Sequence, residues 1–428
     1  MMEIKNIRLK YTTLFMFILF VLVMTKGFKF SGWLAFPILG KIRYFTLFFL
    51  PICTLFLYNR TRKMSIMFSR KIVSYFILTC LFTFFIRLMI YGGGMGYGLE
   101  NNLFISFIFC SYFLFHYLKV TETNLMVSLT IIGILVLIIQ VYQQLNPSMA
   151  MFSIYTEEMR DELGLGENYI TGMRNGLYRF KPIVQHVPFF LFCYYLSKLL
   201  SKFNWTNLIL VICFAASIYL MLTRMFFACM GIAALMIYYS QRKQVKSKFW
   251  IFAIIIFTIF LLFAYSDILF SSLFNSEDSD INYSSTARLN ALPFIWSQAL
   301  SNPILFITGH GYPSMLWEWG GKLGYWYNDL GIFGQVYPYG ILWIIVYFRL
   351  VYWILVKKKH KIPIYVRAYV LGLFCICFMN ASYSGDLMIT LLWCIILYLS
   401  DLYITNSDKT EHLSLIHISE PTRHSLIS

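Results

Sequence analysis

Long runs of consecutive apolar residues recur along the whole chain, and nothing else in the sequence restricts the fold as much. They fall near 11–27, 43–58, 72–91, 102–119, 124–144, 183–200, 206–222, 225–240, 249–269, 331–355, 364–381 and 386–404. One helical crossing of a bilayer takes about 20 such residues. The pattern therefore predicts an all-α fold, a polytopic transmembrane helical bundle of about 12 spans. The apolar stretch Trp33–Gly40 is too short to cross and reads as a re-entrant or interfacial piece. Of the 428 residues, 59% are hydrophobic and 13% charged, against about 25% charged in soluble domains. That balance excludes an ordinary soluble enzyme, a disordered chain and a secreted disulfide scaffold. The nine cysteines lie in apolar runs, and Cys375-x-Cys377 lacks a second zinc-binding pair, so they read as packing residues.

The net charge of +16 would suggest nucleic acid in a soluble protein. In a membrane chain it follows from Lys and Arg held on the cytoplasmic side. With a cytoplasmic N-terminus, the inside loops contain Arg60, Arg62, Lys63, Arg70 and Lys71, then Lys198 and Lys202, then Arg242, Lys243, Lys246 and Lys248, then Lys357, Lys358, Lys359 and Lys361. Lys26, Lys29, Lys41 and Arg43 oppose this mildly. Tyr11–Met24 has no small-x-small cleavage site after it and reads as a retained first span. Two long loops, about 145–182 and 271–330, fall outside. The second has helical pattern over Ala287–Leu300 and many aromatics, including Trp296, Trp317, Trp319 and Trp326, so a folded external loop domain is expected. The bundle is expected over 1–408, with both termini cytoplasmic. The polar tail 409–428 contains SLIHISEPTR over Ser414–Arg423, which resembles translated adapter or read-through sequence, and is expected to be non-native or disordered.

Several cations sit where charge is costly. Arg349 and Arg367 lie near cytoplasmic span ends, where snorkelling explains them. Arg87, Arg179, Lys181, Arg224 and Arg288 instead fall on the external side, where the positive-inside rule gives no reason for them. Arg224 joins two short spans, so it should sit below the membrane surface and need an anionic partner. Asp267, Asp329 or Asp386 could supply one internally. The alternative is a bound anion held by guanidinium groups, which bind phosphate bidentately and keep their charge. An anion between spans suggests a lipid phosphate or pyrophosphate. Asp278-x-Asp280 has the form of a metal-binding pair but lies in the polar stretch NSEDSDINYSS, which reads as a solvated loop. The first external loop, Gly27–Ile42, has no acidic residue, so no metal and no cofactor are expected. Gly92-Gly93-Gly94-x-Gly96 reads as a turn rather than a phosphate loop.

Four segments, read together, resemble the O-antigen polymerase/ligase family of Wzy-type polymerases and lipopolysaccharide ligases. They cover roughly Arg174–Ile341. YRFKPIVQHVPFFLFCYYL at 178–196 is similar to the family's Arg-Phe element, with His186 and Pro188 in place of its Asn-Pro-Asn. MLTRMFFACMGI at 221–232 is similar to its Ser-Arg hairpin, with Thr223 for Ser. ARLNALPFIWSQALSNPILFITGHGY at 287–312 resembles its Arg, Trp, Asn-Pro and Gly-x-Gly element through Arg288, Trp296, Asn302, Pro303, Gly309 and Gly311. YNDLGIFGQVYPYGILW at 327–343 resembles its last element through Asn328 and Asp329. Ligases have a His there, and Tyr327-Asn328-Asp329 favours a polymerase.

The resemblance implies a metal-independent glycosyltransferase of the bacterial cytoplasmic membrane. It would transfer a growing glycan from undecaprenyl pyrophosphate to a sugar hydroxyl of another lipid-linked repeat unit on the outer face. Its partners would be that lipid-linked oligosaccharide as donor and acceptor, the lipid bilayer, and a chain-length regulator and flippase, with no nucleic acid. Preorganised arginines would neutralise charge developing on the pyrophosphate. Arg224 and Arg288 are the expected catalytic cations, and Arg179, Arg87, Lys181 and His186 the expected substrate-binding residues. Asp329 is the first choice of base, with helix capping as its alternative role. His310 is the second, against an exposed turn His between two glycines, and His186 the third. The competing classes are a ligase using another acceptor, a lipid-linked oligosaccharide flippase, and a purely structural membrane protein.

Overall fold

The computed structural model describes residues 11–24, 48–55, 67–91, 99–146, 173–174, 177–178, 186–221, 224–242, 278–311, 330–377 and 387–419. In chain order the helices are α1 (Tyr11–Met24), α2 (48–55), α3 (Arg70–Tyr91), α4 (Leu99–Phe109), α5 (Ser111–Leu118) and α6 (Glu122–Leu145). A two-residue antiparallel ladder follows, pairing β1 (Met173–Arg174) with β2 (Leu177–Tyr178). Then come α7 (His186–Ser201), α8 (Trp205–Leu220), α9 (Arg224–Gln241), α10 (Asp278–Leu300), α11 (Pro303–Thr308), α12 (Ile332–Tyr352), α13 (Ile364–Ile376) and α14 (Leu387–Ser419). The described protein is thus all-helical apart from that ladder. Among the described residues, four helical stretches are long and apolar enough to cross a membrane: Arg70–Ile90, Glu122–Leu145, Ile332–Lys357 and Ile389–Ser407. The run at 249–269, the stretch Trp33–Gly40, the Gly92–Gly96 turn and most of the loop 145–182 lie outside the described residues.

The surface of these helices marks a membrane protein. Leu78, Phe82, Phe85 and Met89 lie exposed along α3, and Ile131, Ile134, Ile138, Val141 and Leu145 along α6. Leu342, Ile345, Phe348 and Tyr352 repeat the pattern on α12. The spacing of three and four residues makes one continuous outward apolar face on each helix. Water would penalise such faces, whereas lipid tails accept them. Helix α14 is the centre of the bundle, and its residues from Ile389 to Asp401 are all buried.

Local signals set the helix ends. Thr121 caps α6, its hydroxyl accepting the Asn124 N–H at 3.2 Å. Asn204 caps α8 through the Thr206 N–H at 2.9 Å. Asn302 caps α11 by accepting from Ile304 and Leu305, with Pro303 in the first turn where its missing N–H costs nothing. The run at 102–119 is two helices, because Cys110 N–H bonds back to Phe107 O three residues earlier and tightens the chain there. Helix α14 runs to Ser419, since no Gly or Pro interrupts it before Pro421, and the residue preceding a proline disfavours helix.

Several of the described helices bring basic residues to one end of the bundle. The Arg349 guanidinium lies 5.0 Å from the Tyr75 ring centroid, and the Lys358 ammonium 5.6 Å from that of Phe68. These contacts bring the end of α12 to the start of α3. Gln241 donates to Ser197 at 3.0 Å, so α7 and α9 finish together. The first residues of α7 and α9, the last turns of α3 and the start of α12 therefore lie towards the opposite end.

Two carboxylates, one buried and one half-buried, organise the basic end. Asp401 is wholly buried. Its Oδ1 accepts the Ser69 N–H at 3.0 Å and the Ser69 hydroxyl at 2.7 Å, and its Oδ2 accepts the Tyr112 hydroxyl at 2.5 Å and faces His116 Nε2 at 3.1 Å. Glu122 accepts the Tyr365 hydroxyl at 2.9 Å and the Tyr403 hydroxyl at 2.7 Å. The Ser69 hydroxyl and the His116 ring both point at the acid rather than at each other. The group is therefore an acceptor hub joining α3, α5 and α14, not an activated serine. Replacing Asp401 by Leu leaves several buried donors without an acceptor, at about 1–3 kcal/mol each in the harshest case. Asp401→Leu is expected to lower the melting temperature of the purified full chain sharply, and Asp401→Asn, which keeps one carbonyl acceptor, to lower it less. Equal melting of Asp401→Leu and the parent would show that the hub does not hold these helices.

Candidate functional site

The most irregular backbone among the described residues lies at the end of the bundle away from the basic helix ends. Helix α12 contains Pro338, which has no N–H to donate, and Gly340 at φ 73, ψ 172, far from helical values. The helix is thus broken between its first two turns and the remainder, unlike the continuous span that apolarity suggests. The broken turn frees carbonyls, and buried carbonyls need donors. The Gly309-His310-Gly311 turn after α11 supplies them: His310 N–H donates to Tyr337 O at 2.7 Å, and Gly311 N–H to Pro338 O at 3.1 Å. Asn102 on α4 adds its side-chain amide to Pro338 O at 3.3 Å.

Glycine is required on both sides of this junction. A Cβ on Gly340 would overlap Gly309 N and Ile307 O, and one on Gly309, at φ 98, would lie 2.6 Å from the Tyr339 carbonyl carbon. The Thr83 hydroxyl on α3 donates to Thr308 O and ties α11 to α3. A Cβ on Gly311 would lie 2.6 Å from Arg87 Nη1, so the Arg87 guanidinium rests directly against this turn. Two of the residues expected from sequence, Arg87 and His310, are therefore brought together from α3 and the loop after α11.

His310 is not an exposed turn residue. It is 3% exposed, and its ring stacks on Tyr337 with centroids 4.4 Å apart and planes at 10°. Its Nε2 lies 3.1 Å from Ala299 O. A carbonyl only accepts, so Nε2 carries the proton and the neutral ring keeps an unprotonated Nδ1. Burial holds the His310 pKa below its usual 6.5. The Arg87 charge pushes the same way, while the bond to Ala299 opposes both. The ring is neutral at pH 7 and has the lone pair a general base needs.

The other expected residues divide into two groups. His186 opens α7 and is 1% exposed, with Nδ1 3.3 Å from the Tyr369 hydroxyl and its ring edge-on to Phe226 at 5.1 Å. Arg224 opens α9, two residues before Phe226, so the first turns of α7 and α9 adjoin. Arg288 lies on α10, which also carries Asp278 and Asp280 in its first turn. Asp329, Arg179 and Lys181 lie outside the described residues. Among the described residues, no three His, Cys, Asp or Glu side chains gather as a metal site would require.

Several residues that shape this region gave weak sequence signals. Asn102, Thr83 and Tyr337 look like ordinary members of apolar helices. Asn102 is fully buried, and its Oδ1 has no hydrogen-bond partner among the described residues. An acceptor of that kind beside a broken helix suits a water or a substrate hydroxyl. The chain matches no protein-family model, no curated protein and no solved structure.

The depressed His310 pKa carries a stability consequence. The unfolded chain binds this proton at about pH 6.5, whereas the folded ring takes it up only at lower pH. Stability from this group is therefore complete above pH 6.5 and is lost as pH falls through the folded pKa. Melting temperatures of the parent and His310→Gln, compared between pH 7.5 and 5, are expected to show a steeper acid loss in the parent. Parallel profiles would contradict a buried neutral imidazole.

Proposed function

We propose that this chain is a bacterial polysaccharide polymerase. It transfers a growing glycan from undecaprenyl pyrophosphate to a hydroxyl of a second lipid-linked repeat unit, at the outer face of the cytoplasmic membrane. The reading includes about 12 spans, the loops 145–182 and 271–330 outside, and both termini inside. The observation that carries it is the Arg87 guanidinium against Gly311 beside a buried, neutral His310, at the end of the bundle remote from the lysines and arginines of the inside loops. The four motif segments support the same reading.

In this mechanism the bond from the donor sugar's anomeric carbon to the pyrophosphate oxygen breaks. The acceptor oxygen forms the new glycosidic bond, and its proton passes to a base. Asp329 is the first choice of base and His310 Nδ1 the second, with His186 third. Arg224 and Arg288, with Arg87, Arg179 and Lys181, offset the charge left on undecaprenyl pyrophosphate. Fixed cations act strongly here because a low-dielectric surrounding screens them little. The donor already carries its pyrophosphate leaving group, so no nucleotide site is required, and no metal is expected because the first external loop, Gly27–Ile42, has no acidic residue. A chain-length regulator and a flippase would work beside the enzyme.

One observation favours a second reading. Discontinuous helices such as α12 are where transporters bind substrates, which suits a lipid-linked oligosaccharide flippase. Glycan length in the producing cell separates the two. Replacing Arg87, Arg224 or Arg288 by Ala is expected to cut polymerisation about 100-fold or more and to leave single repeat units at the cell surface. Loss of all surface repeat units would favour the flippase, and unchanged long chains would remove that arginine from the site.

A further inference from the structure

A polar cavity lies at the basic end of the bundle, away from His310. It sits between the end of α9 and the first turn of α13 and is lined by Met236, Tyr239, Ser240, Arg242, Ile364 and Arg367. Its volume of about 380 Å³ falls within the range of roughly 300–1,000 Å³ typical of small-ligand sites. The lining contains two guanidinium groups and no carboxylate. Arg242 is held with its guanidinium carbon 4.2 Å from the centroid of the Tyr239 ring, a cation–π contact that fixes its direction without neutralising it.

Arg367 is the informative residue. Simple snorkelling would place its guanidinium nitrogens in water. Instead its Nε is buried and has no hydrogen-bond partner among the described residues. A buried guanidinium donor without an acceptor is costly, and a second guanidinium across the same cavity adds repulsion. An anion offering several oxygens to both groups removes both penalties, and a phosphate matches the guanidinium fork. The Ser240 and Tyr239 hydroxyls are further donors on the wall, and Met236 and Ile364 give an apolar wall suited to carbon attached to the phosphate.

We infer that this cavity binds a phosphate group, carried by an anionic phospholipid headgroup or free in solution, between Arg242 and Arg367. The site is separate from the proposed glycan chemistry and does not depend on it. Its position suits a lipid: Leu235 and Tyr239 are exposed on the same stretch of α9, and Lys198, Lys202, Lys357 and Lys358 belong to neighbouring helix ends.

The test uses the purified full chain, with Arg242→Gln and Arg367→Gln. Arg242 is exposed, so its replacement leaves the packed interior intact. Native mass spectrometry after exchange into phosphatidylglycerol or phosphatidylcholine reads retained lipid, and inorganic phosphate is titrated separately by thermal shift. Expected is selective retention of phosphatidylglycerol by the parent, weakened by about tenfold in either variant, the loss of one charge-assisted bond. Stabilisation by inorganic phosphate in the parent but not in the variants, without lipid selectivity, would assign the site to free phosphate. Equal behaviour of the parent and both folded variants towards every probe would overturn the proposal.

Discussion

The break in α12 is the constraint on which the rest of the site depends. A helix inside a low-dielectric core cannot leave carbonyls unpaired, because each would cost several kcal/mol. Pro338 and Gly340 open the helix, and the Gly309-His310-Gly311 turn closes the account by donating to Tyr337 O and Pro338 O. The same two bonds fix where His310 lies and bring Gly311 under Arg87. Stacking on Tyr337 and the contact with Ala299 O then leave the imidazole only one tautomer in its neutral form. Backbone necessity thus sets side-chain chemistry.

The two ends of the bundle treat charge differently. At the basic end the buried Asp401 and the half-buried Glu122 are surrounded by hydroxyl donors from distant helices, a structural arrangement in which the carboxylates serve as acceptors. At the other end Arg87 approaches a glycine and a histidine. A cation and a neutral imidazole thus adjoin at this end, and the proposed pyrophosphate chemistry is assigned there.

Apolar runs alone made the helices legible, because a span needs only length and hydropathy. Asn302-Pro303 and the Gly309-x-Gly311 pair were also readable as local signals, and they turn out to cap α11 and permit its close approach to α12. The break at Gly340 was less legible, since YPYGILW is as apolar as any span and only the Pro and Gly hint at it. The Asp401 hub was missed, although one Asp inside the apolar run LYLSDLY is unusual in a membrane helix. Its partner Ser69 is 332 residues away, and no periodicity reports a contact of that range. Arg87 was picked out for its charge, but its nearness to His310 arises only from the packing of α3 against α11. Arg179, Lys181 and Asp329 lie outside the described residues, and they are proposed for the site on the motif resemblance alone.

The most direct test of the proposed site is an experimental structure of the full chain in a lipid nanodisc with undecaprenyl pyrophosphate bound. The diphosphate is expected at the end of the bundle bearing His310, with the guanidinium groups of Arg87, Arg224 and Arg288 in contact with its oxygens. A diphosphate bound elsewhere, or those arginines widely separated around an empty turn, would contradict it.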